Sequence, residues 1–171
     1  MNRFQEILQG GDLRSIGRAN EIVTNINTQY EFDELFIGLT HPDRKVVMRT
    51  ADAIEKITLK DPGYLQKHKK VLLDLCHTEK PIELKWHLAL LISRLQLTRK
   101  EYGNTWDLLT AWARNKKESK IVRVNSIQGL FNLLQQKQEL SQDLKLTLSE
   151  IEKEKIPSLN ARIRKLQNAS H

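Results

Sequence analysis

The residues best suited to chemistry lie in the segment that ends at His77. Cys76 and His77 are adjacent, and His68 and Asp74 precede them, so thiolate, imidazole and carboxylate groups occur close together in the chain. These groups are zinc ligands in other proteins. Adjacent residues on a helix point about 100° apart, however, so Cys76 and His77 are poorly placed to bind one ion. Cys76 lies on an apolar helix face without a cation to lower its pKa, which favours an inert buried cysteine beside a surface histidine.

Three further patterns have simpler structural explanations. His41 precedes a turn proline, where packing or capping is expected rather than catalysis. Glu150 and Glu154 share a predicted helix face, but the lysines around them indicate a solvated face of mixed charge rather than a hydrolytic carboxylate pair. The pair Gly10–Gly11 lacks the Lys-Ser or Lys-Thr of a phosphate-binding loop. The sequence therefore predicts no catalytic residue, no metal, no cofactor and no enzymatic activity.

Length and composition restrict the class of protein. The chain has 171 residues, only 6% of them aromatic, and few Gly and Pro, which favours one helical domain over a sheet protein. No apolar run approaches the roughly 20 residues needed to cross a bilayer. The single cysteine favours a reducing compartment, so we expect a soluble, cytoplasmic protein. The net charge of +7 is compatible with an acidic partner or with solubility alone.

Start and stop signals divide the chain into ten helices. The predicted start signals are Asn2, Asp12, Thr98, Ser119 and Ser141 as caps and Pro157 as a first helical residue. Short breaks between the helices indicate antiparallel pairs. The prediction is an all-α single domain, residues 1–171, built from five hairpins with approximate bounds 1–28, 29–60, 61–97, 98–137 and 138–171.

The second helices of these hairpins share one pattern. The inward stripe of the second hairpin recurs 38 residues later and again after another 38, so the three stripes are Val46-Thr50-Ala53-Ile54-Ile57, Leu84-Leu88-Leu91-Ile92-Leu95 and Val122-Ser126-Gly129-Leu130-Leu133. A period in this range is typical of stacked helical hairpins, none of which buries its apolar face alone.

Residues 41–57 (HPDRKVVMRTADAIEKI) and 122–134 (VRVNSIQGLFNLL) resemble HEAT repeats. Both have small residues where two helices cross, and the first has a Pro-Asp turn followed by a valine. The resemblance covers nearly the whole chain and implies a right-handed α-solenoid of about five antiparallel hairpins. It implies a scaffold rather than one activity, because partners differ within that family. Trp86 and His87 depart from the pattern, and the end hairpins are expected to act as caps.

The DNA alkylation-repair glycosylases are also similar to this chain in their stacked helices and basic groove. Their groove carries a catalytic aspartate flanked by aromatic residues and arginine. Trp106 and Asp107 are the adjacent Trp-Asp pair in this sequence. They lie on a predicted first helix, and Trp106 continues an inward stripe with Leu109 and Ala113. This resemblance therefore implies a related fold and not a shared activity.

Positive charge is concentrated in the predicted second helices, which have the bounds 12–28, 42–60, 81–97, 119–137 and 157–168. They hold 15 of the 28 Lys and Arg residues but only 6 of the 21 Asp and Glu residues, and the last two contain no acid. Such a layer could bind phosphates or an acidic peptide, or it could carry solvated side chains that cover apolar stems. The predicted contact residues are Arg14, Arg18, Lys45, Arg49, Lys85, Arg94, Lys120, Arg123, Arg162 and Lys165.

Helical phase adds an apolar centre to this face. With Val46 set inward, the opposite positions of the next two second helices hold Trp86, Leu90, Val124 and Phe131. These side chains either form an exposed patch for a partner or fill contacts between neighbouring repeats. The leading hypothesis is a non-catalytic module whose basic concave face and apolar patch bind a protein or peptide that is acidic or an amphipathic helix. The alternative is nucleic-acid binding through the basic layer; no membrane or small-molecule partner is expected.

Overall fold

The computed structural model describes residues 3–9, 17–78 and 82–169, and over these ranges the chain is helical without a strand. The helices are α1 (Arg3–Gln9), α2 (Gly17–Asn25), α3 (Gln29–Phe36), α4 (Arg44–Lys60), α5 (Lys69–Leu75), α6 (Ile82–Leu91), α7 (Arg99–Arg114), α8 (Lys120–Gln136), α9 (Ser141–Glu152) and α10 (Pro157–Ala169). Short 3-10 segments follow α3, α4, α6 and α8. The all-α prediction is confirmed. No helix in the described ranges is long and apolar enough to span a bilayer.

Two predicted caps are confirmed by their hydrogen bonds. The Thr98 hydroxyl accepts from Glu101 N at 3.3 Å, and the Glu101 carboxylate accepts from Thr98 N at 2.8 Å, which makes a capping box at the start of α7. The Ser119 hydroxyl accepts from Val122 N at 3.2 Å at the start of α8. Both caps satisfy amides that have no partner within the helix.

Of the other three predicted caps, Ser141 is wrong and the remaining two stay untested. Ser141 does not cap α9: it is the first residue of that helix, because a 3-10 turn (Gln138–Leu140) runs directly into it and leaves Leu140 at the cap position without a side-chain hydrogen bond. Asn2 and Asp12 lie outside the described residues.

Two predicted helices are shorter than expected. The first helix of the predicted third hairpin (61–97) begins as a 3-10 segment (Pro62–His68), because Pro62 starts it and the Asp61 carboxylate accepts from Gly63 N at 3.0 Å. The helix predicted to reach residue 97 ends at Leu91 and continues as a 3-10 turn. There the Ser93 hydroxyl donates to Leu90 O at 2.7 Å, a local bond that competes with regular helical pairing.

The chain divides into two compact units, Met1–His87 and Leu88–His171, and the division falls inside α6. In the first unit α4 is the central helix, which packs against α1, α2, α3 and the 3-10 segments on either side of it. Its Val46, Ala53 and Ile54 are completely buried. A Cβ at Gly38 would collide with the Thr50 side chain, so this crossing requires glycine. The single-domain interpretation of the sequence stays a prediction.

In the second unit α8 is the central helix, which packs against α7, α10 and the 3-10 turn after α6. Val122, Ser126 and Leu130 on its inward stripe are completely buried. A Cβ at Gly129 would lie 2.7 Å from the carbonyl oxygen of Ala89, closer than van der Waals contact allows. The small residue in the repeated stripe is therefore explained by close backbone approach at a helix crossing.

Candidate binding groove

A groove of about 490 Å³ lies between α8 and α10 in the second unit, and we call it the α8–α10 groove. It contains four of the residues that the sequence singled out for partner binding: Lys120, Val124, Arg162 and Lys165. Its full lining is Lys120, Ile121, Val124, Asn125, Ser158, Ala161, Arg162 and Lys165. One wall belongs to the first turns of α8 and the other to residues 158–165 of α10.

Local sequence signals position both walls. Ser119 fixes the start of α8, and Pro157 starts α10 with a backbone φ suited to a first helical turn. The Nη1 of Arg162 donates to Oε1 of Gln128 at 2.8 Å, which ties α10 to the middle of α8. Later residues of both helices, 131–134 and 167–168, line a second depression together, so the helices run parallel and their N-termini lie at the same end of the groove.

The floor of the groove is apolar and partly open to solvent. Ile121 is 49% exposed although it is a large β-branched residue, and Val124 is half-buried beside it. Ala161, on the opposite wall, is exposed and too small to cover them. Exposed apolar side chains grouped in a concave site are a common feature of binding surfaces.

The charges that border this floor are all positive. Lys120 and Lys165 are exposed and, within the described part of the chain, neither forms an ion pair, while Arg162 bonds to a neutral amide. No Asp or Glu lines the groove. The positive ends of two helix dipoles add to this potential at the end nearest Lys120. The groove therefore combines an apolar floor with a cationic border.

The prediction that Arg123 contacts a partner is wrong. It is only 1% exposed, because its guanidinium forms a two-pronged ion pair with Glu154 at 2.8 and 2.9 Å. Its Nε also donates to the carbonyl oxygen of Ala113 at 2.8 Å, at the last turn of α7. One buried side chain thus joins α7, α8 and the turn between α9 and α10. Its role is to position the wall of the groove, and it does not face a partner.

Glu154 was predicted on a solvated helix face with Glu150, and that prediction is also wrong for Glu154. Helix α9 ends at Glu152, so Glu154 lies in the turn that follows and points at Arg123 rather than along the helix surface. The hydrogen bond and charge of Arg123 hold the pKa of Glu154 below its usual value despite partial burial. Glu150 stays on the surface, paired with Arg114 across two half-exposed side chains.

Two other predicted contacts are buried. Arg49 is 5% exposed and its Nη1 donates to the carbonyl oxygen of Leu8, so it completes the last turn of α1 instead of facing solvent. Leu90 is 8% exposed, so its predicted place in an exposed patch is wrong. The reason is that α6 is apolar around most of its circumference, and such a helix is enclosed on all sides.

Of the remaining predicted contacts, Arg14 and the side chain of Arg18 lie outside the described residues, while Lys45, Lys85, Trp86 and Arg94 are half-buried and divide between the two units. Lys85 and Trp86 lie in the first unit, where the Trp86 ring meets His87 at a centroid distance of 5.8 Å. Arg94 lies in the second unit. Lys85, Trp86 and Arg94 all have interaction partners within the chain. Their use as partner contacts stays a prediction.

Phe131 lines a second depression of about 480 Å³ in the second unit, which we call the distal pocket. Its lining combines the end of α8 with α9 and the end of α10: Phe131, Leu134, Ser141, Leu144, Lys145, Leu148, Gln167 and Asn168. Phe131 and Leu134 are half-buried, so apolar surface is accessible here too. Lys145 is the charged residue in this lining.

The groups first considered for catalysis are engaged in structural roles. Burial raises the pKa of the Cys76 thiol to about 12, although the positive charge of Lys85 acts to lower it. The Cys76 Sγ donates to Leu72 O at 3.3 Å. His77 is exposed, as predicted. His41 accepts from Asp43 N at 3.0 Å, which confirms its place in a turn. In the described ranges no three His, Cys, Asp or Glu side chains lie close enough to hold one metal ion.

The Trp-Asp pair is arranged as the sequence predicted. Trp106 is 4% exposed, and its Nε1 donates to Asp143 at 2.8 Å, while Asp107 next to it is exposed. Trp106 is thus part of the packing between α7 and α9, not of an aromatic pocket around a carboxylate.

Sequence reasoning missed the residues that complete the α8–α10 groove. The sequence does not single out Ile121, Asn125, Ser158 and Ala161, because the groove forms only where two hairpins pack side by side. The available signal was Ile121, a large apolar residue directly after Lys120 at a helix start, where a solvated residue is usual.

A comparison with protein-family models matches residues 11–169 of this chain to a HEAT repeat domain. No curated protein and no solved structure matches the chain significantly.

Proposed function

This chain belongs to the HEAT repeat domain family, an all-α solenoid fold, and from that premise we propose that it is a non-catalytic module that binds a protein partner through the α8–α10 groove. Repeats of this family serve as interaction scaffolds, which makes a binding role the first choice. The proposal extends that role to a particular surface of the second unit and to a particular class of partner, an acidic segment with apolar side chains.

The observation that carries the proposal is the pairing of an open apolar floor with an all-positive border. Lys120 and Lys165 have no opposing carboxylate in the described structure, and the floor of Ile121 and Val124 is accessible between them. A carboxylate near these lysines gains electrostatic energy, and an apolar residue next to it gains by leaving water. Only a ligand with both properties uses the whole groove.

Nucleic acid is the second candidate, supported by the absence of any Asp or Glu in α8 and α10. The groove fits it less well. Single strands bind proteins largely through bases stacked on aromatic rings, and no aromatic residue lines this groove. Phosphates would also leave the apolar floor of Ile121 and Val124 without a matching surface.

Selection from a displayed library of random peptides tests the proposal with a defined probe. The native chain should enrich peptides that carry Asp or Glu beside apolar residues. The double variant Lys120→Glu/Lys165→Glu should bind the selected peptides at least about tenfold more weakly, because two attractions become repulsions. A double variant of equal charge change at exposed lysines outside the groove, Lys60→Glu/Lys100→Glu, is the matched control.

Two results would contradict the proposal. One is enrichment of peptides without acidic residues. The other is equal weakening of peptide binding in the groove variant and in the control variant, which would mean that binding depends only on the net charge of the chain. If the native chain instead binds single-stranded or duplex nucleic acid with an affinity that falls steeply with salt, the second candidate is the correct one.

A further inference from the structure

The α8–α10 groove and the distal pocket lie in succession along the same pair of helices. The groove is lined by residues 120–125 of α8 and 158–165 of α10, and the pocket by residues 131–134 and 167–168 of the same helices. Val124 and Phe131, one in each depression, are seven residues apart on α8. That spacing corresponds to about 10.5 Å along the axis and about 20° around it, so both side chains lie on one face.

A polar bridge separates the two depressions. Arg162 on α10 donates to Gln128 on α8 at 2.8 Å, and Gln128 lies between Val124 and Phe131 in the chain. A guanidinium has five N–H donors, and Gln128 occupies one of them. Arg162 is half-buried, so part of its charge is accessible from solvent. The sequence of surfaces along the helices is therefore apolar, cationic and apolar.

We infer that the partner segment is a single acidic amphipathic helix that spans both depressions, with apolar residues at positions i and i+7 and a carboxylate between them that meets Arg162. The inference rests on the proposed function and specifies its ligand. Positions i and i+7 of a helix are about 10.5 Å apart on one face, which matches the separation of Val124 and Phe131. Further acids on the flanks of this helix meet Lys120 at the end where α8 and α10 begin, and Lys165 and Lys145 beyond Arg162.

An extended peptide fits the same two depressions poorly. A strand advances about 3.3 Å per residue, so three residues are needed to cover about 10 Å. Side chains at i and i+3 of a strand point to opposite faces, and only one of them could enter a depression. Residues i+2 and i+4 do share the correct face. However, residue i+2 falls about 4 Å short of the second depression, and residue i+4 lies about 3 Å beyond it. The spacing selects a helical ligand.

Matched peptides test this geometry. The first is a capped, Ala- and Glu-rich helical peptide of about 15 residues with two leucines seven positions apart. Its isomer has the same composition with the leucines five positions apart, which places them about 140° apart on the helix. In fluorescence anisotropy titrations the first peptide should bind the native chain at least about tenfold more tightly than its isomer.

Variants of the protein test whether Phe131 binds one leucine of the peptide and whether Arg162 binds its central glutamate. Phe131→Ala should weaken binding of the first peptide about tenfold and leave the isomer unchanged, and Phe131→Leu should restore most of the loss. Circular dichroism and thermal unfolding of each variant identify any loss that comes from unfolding. Replacing the central glutamate of the peptide by glutamine should reduce affinity for the native chain more than for Arg162→Gln.

The outcomes separate this inference from the proposed function. If both peptides bind equally and Phe131→Ala has no effect, while Lys120→Glu/Lys165→Glu still abolishes binding, the two-anchor helix is wrong and the groove proposal stands. If neither peptide responds to the charge reversal at Lys120 and Lys165, the groove proposal fails as well.

Discussion

Removal of the Arg123 guanidinium provides the sharpest test of how the groove wall is held. Arg123→Met keeps most of the side-chain volume but leaves the Glu154 carboxylate, of which 13% is exposed, without its partner. The carbonyl oxygen of Ala113 loses a hydrogen-bond donor at the same time. Breaking a buried ion pair from one side typically costs about 3–5 kcal/mol, because the remaining charge is uncompensated. We expect the free energy of unfolding to fall by about that amount.

The partner variant and a double variant make the reasoning quantitative. Glu154→Gln leaves a buried guanidinium and should also destabilise the chain, by about 2–4 kcal/mol. The double variant Arg123→Met/Glu154→Leu removes both charges and should be less destabilised than either single variant, because no buried charge is left over. The matched control is Arg114→Ala, which breaks an ion pair between side chains that are 52% and 51% exposed and should change stability by less than about 1 kcal/mol.

Urea unfolding followed by circular dichroism at 222 nm measures these differences, with the slope of the transition as a check on two-state behaviour. The pH dependence gives a second reading of the same pair. Since the folded-state pKa of Glu154 is lowered, its contribution is present above the ordinary glutamate pKa of 4.5 and is lost as pH falls through the folded value. Arg123→Met within about 0.5 kcal/mol of the native chain at neutral pH would refute the account.

Three further predictions concern other parts of the chain. Gly129→Ala should destabilise the second unit by about 1–3 kcal/mol in urea unfolding, because the new Cβ would lie 2.7 Å from Ala89 O, whereas Gly103→Ala, with nothing within 4 Å, should be neutral or stabilising; equal effects would contradict this. Lys155→Gly should stabilise by about 0.5–1 kcal/mol, since φ is 55° there, and an unchanged transition midpoint would count against it. Partial burial raises the pKa of Asp33, but hydrogen bonds from Lys67, Gln29 and His68 outweigh it and lower the pKa to about 2. Asp33→Asn should therefore remove stability that the native chain has above pH 3.8 and loses as pH falls towards 2, and an identical pH profile would argue against this.

The scaffold was predictable because it rests on repeated local signals. The stripe that contains Val46 and its copy at Val122 recurs at a fixed spacing, and both residues are completely buried. Thr98 and Ser119 cap their helices through short-range hydrogen bonds that the sequence encodes directly. Even Gly129, one of the small residues in the repeated pattern, is explained by a close backbone approach at a helix crossing.

The surface was less predictable because exposure depends on residues far away in the chain. Arg123 looks like a solvated flank residue in its own repeat, and only Glu154, 31 residues later, determines that it is buried. Leu90 has the phase of an outward residue, yet it is buried because α6 is apolar around most of its circumference. The α8–α10 groove was not predicted for the same reason: its two walls come from different hairpins, and neither Ile121 nor Ala161 is unusual when its own helix is considered alone.

The most direct test of the binding proposal is a titration of the isotope-labelled chain with a library-selected acidic peptide, followed by amide chemical shifts. The account predicts the largest, saturable shifts in residues 120–125 and 158–165, with much smaller shifts in the same titration of Lys120→Glu/Lys165→Glu. The largest shifts in the first unit, or a titration that the double variant leaves unchanged, would contradict it.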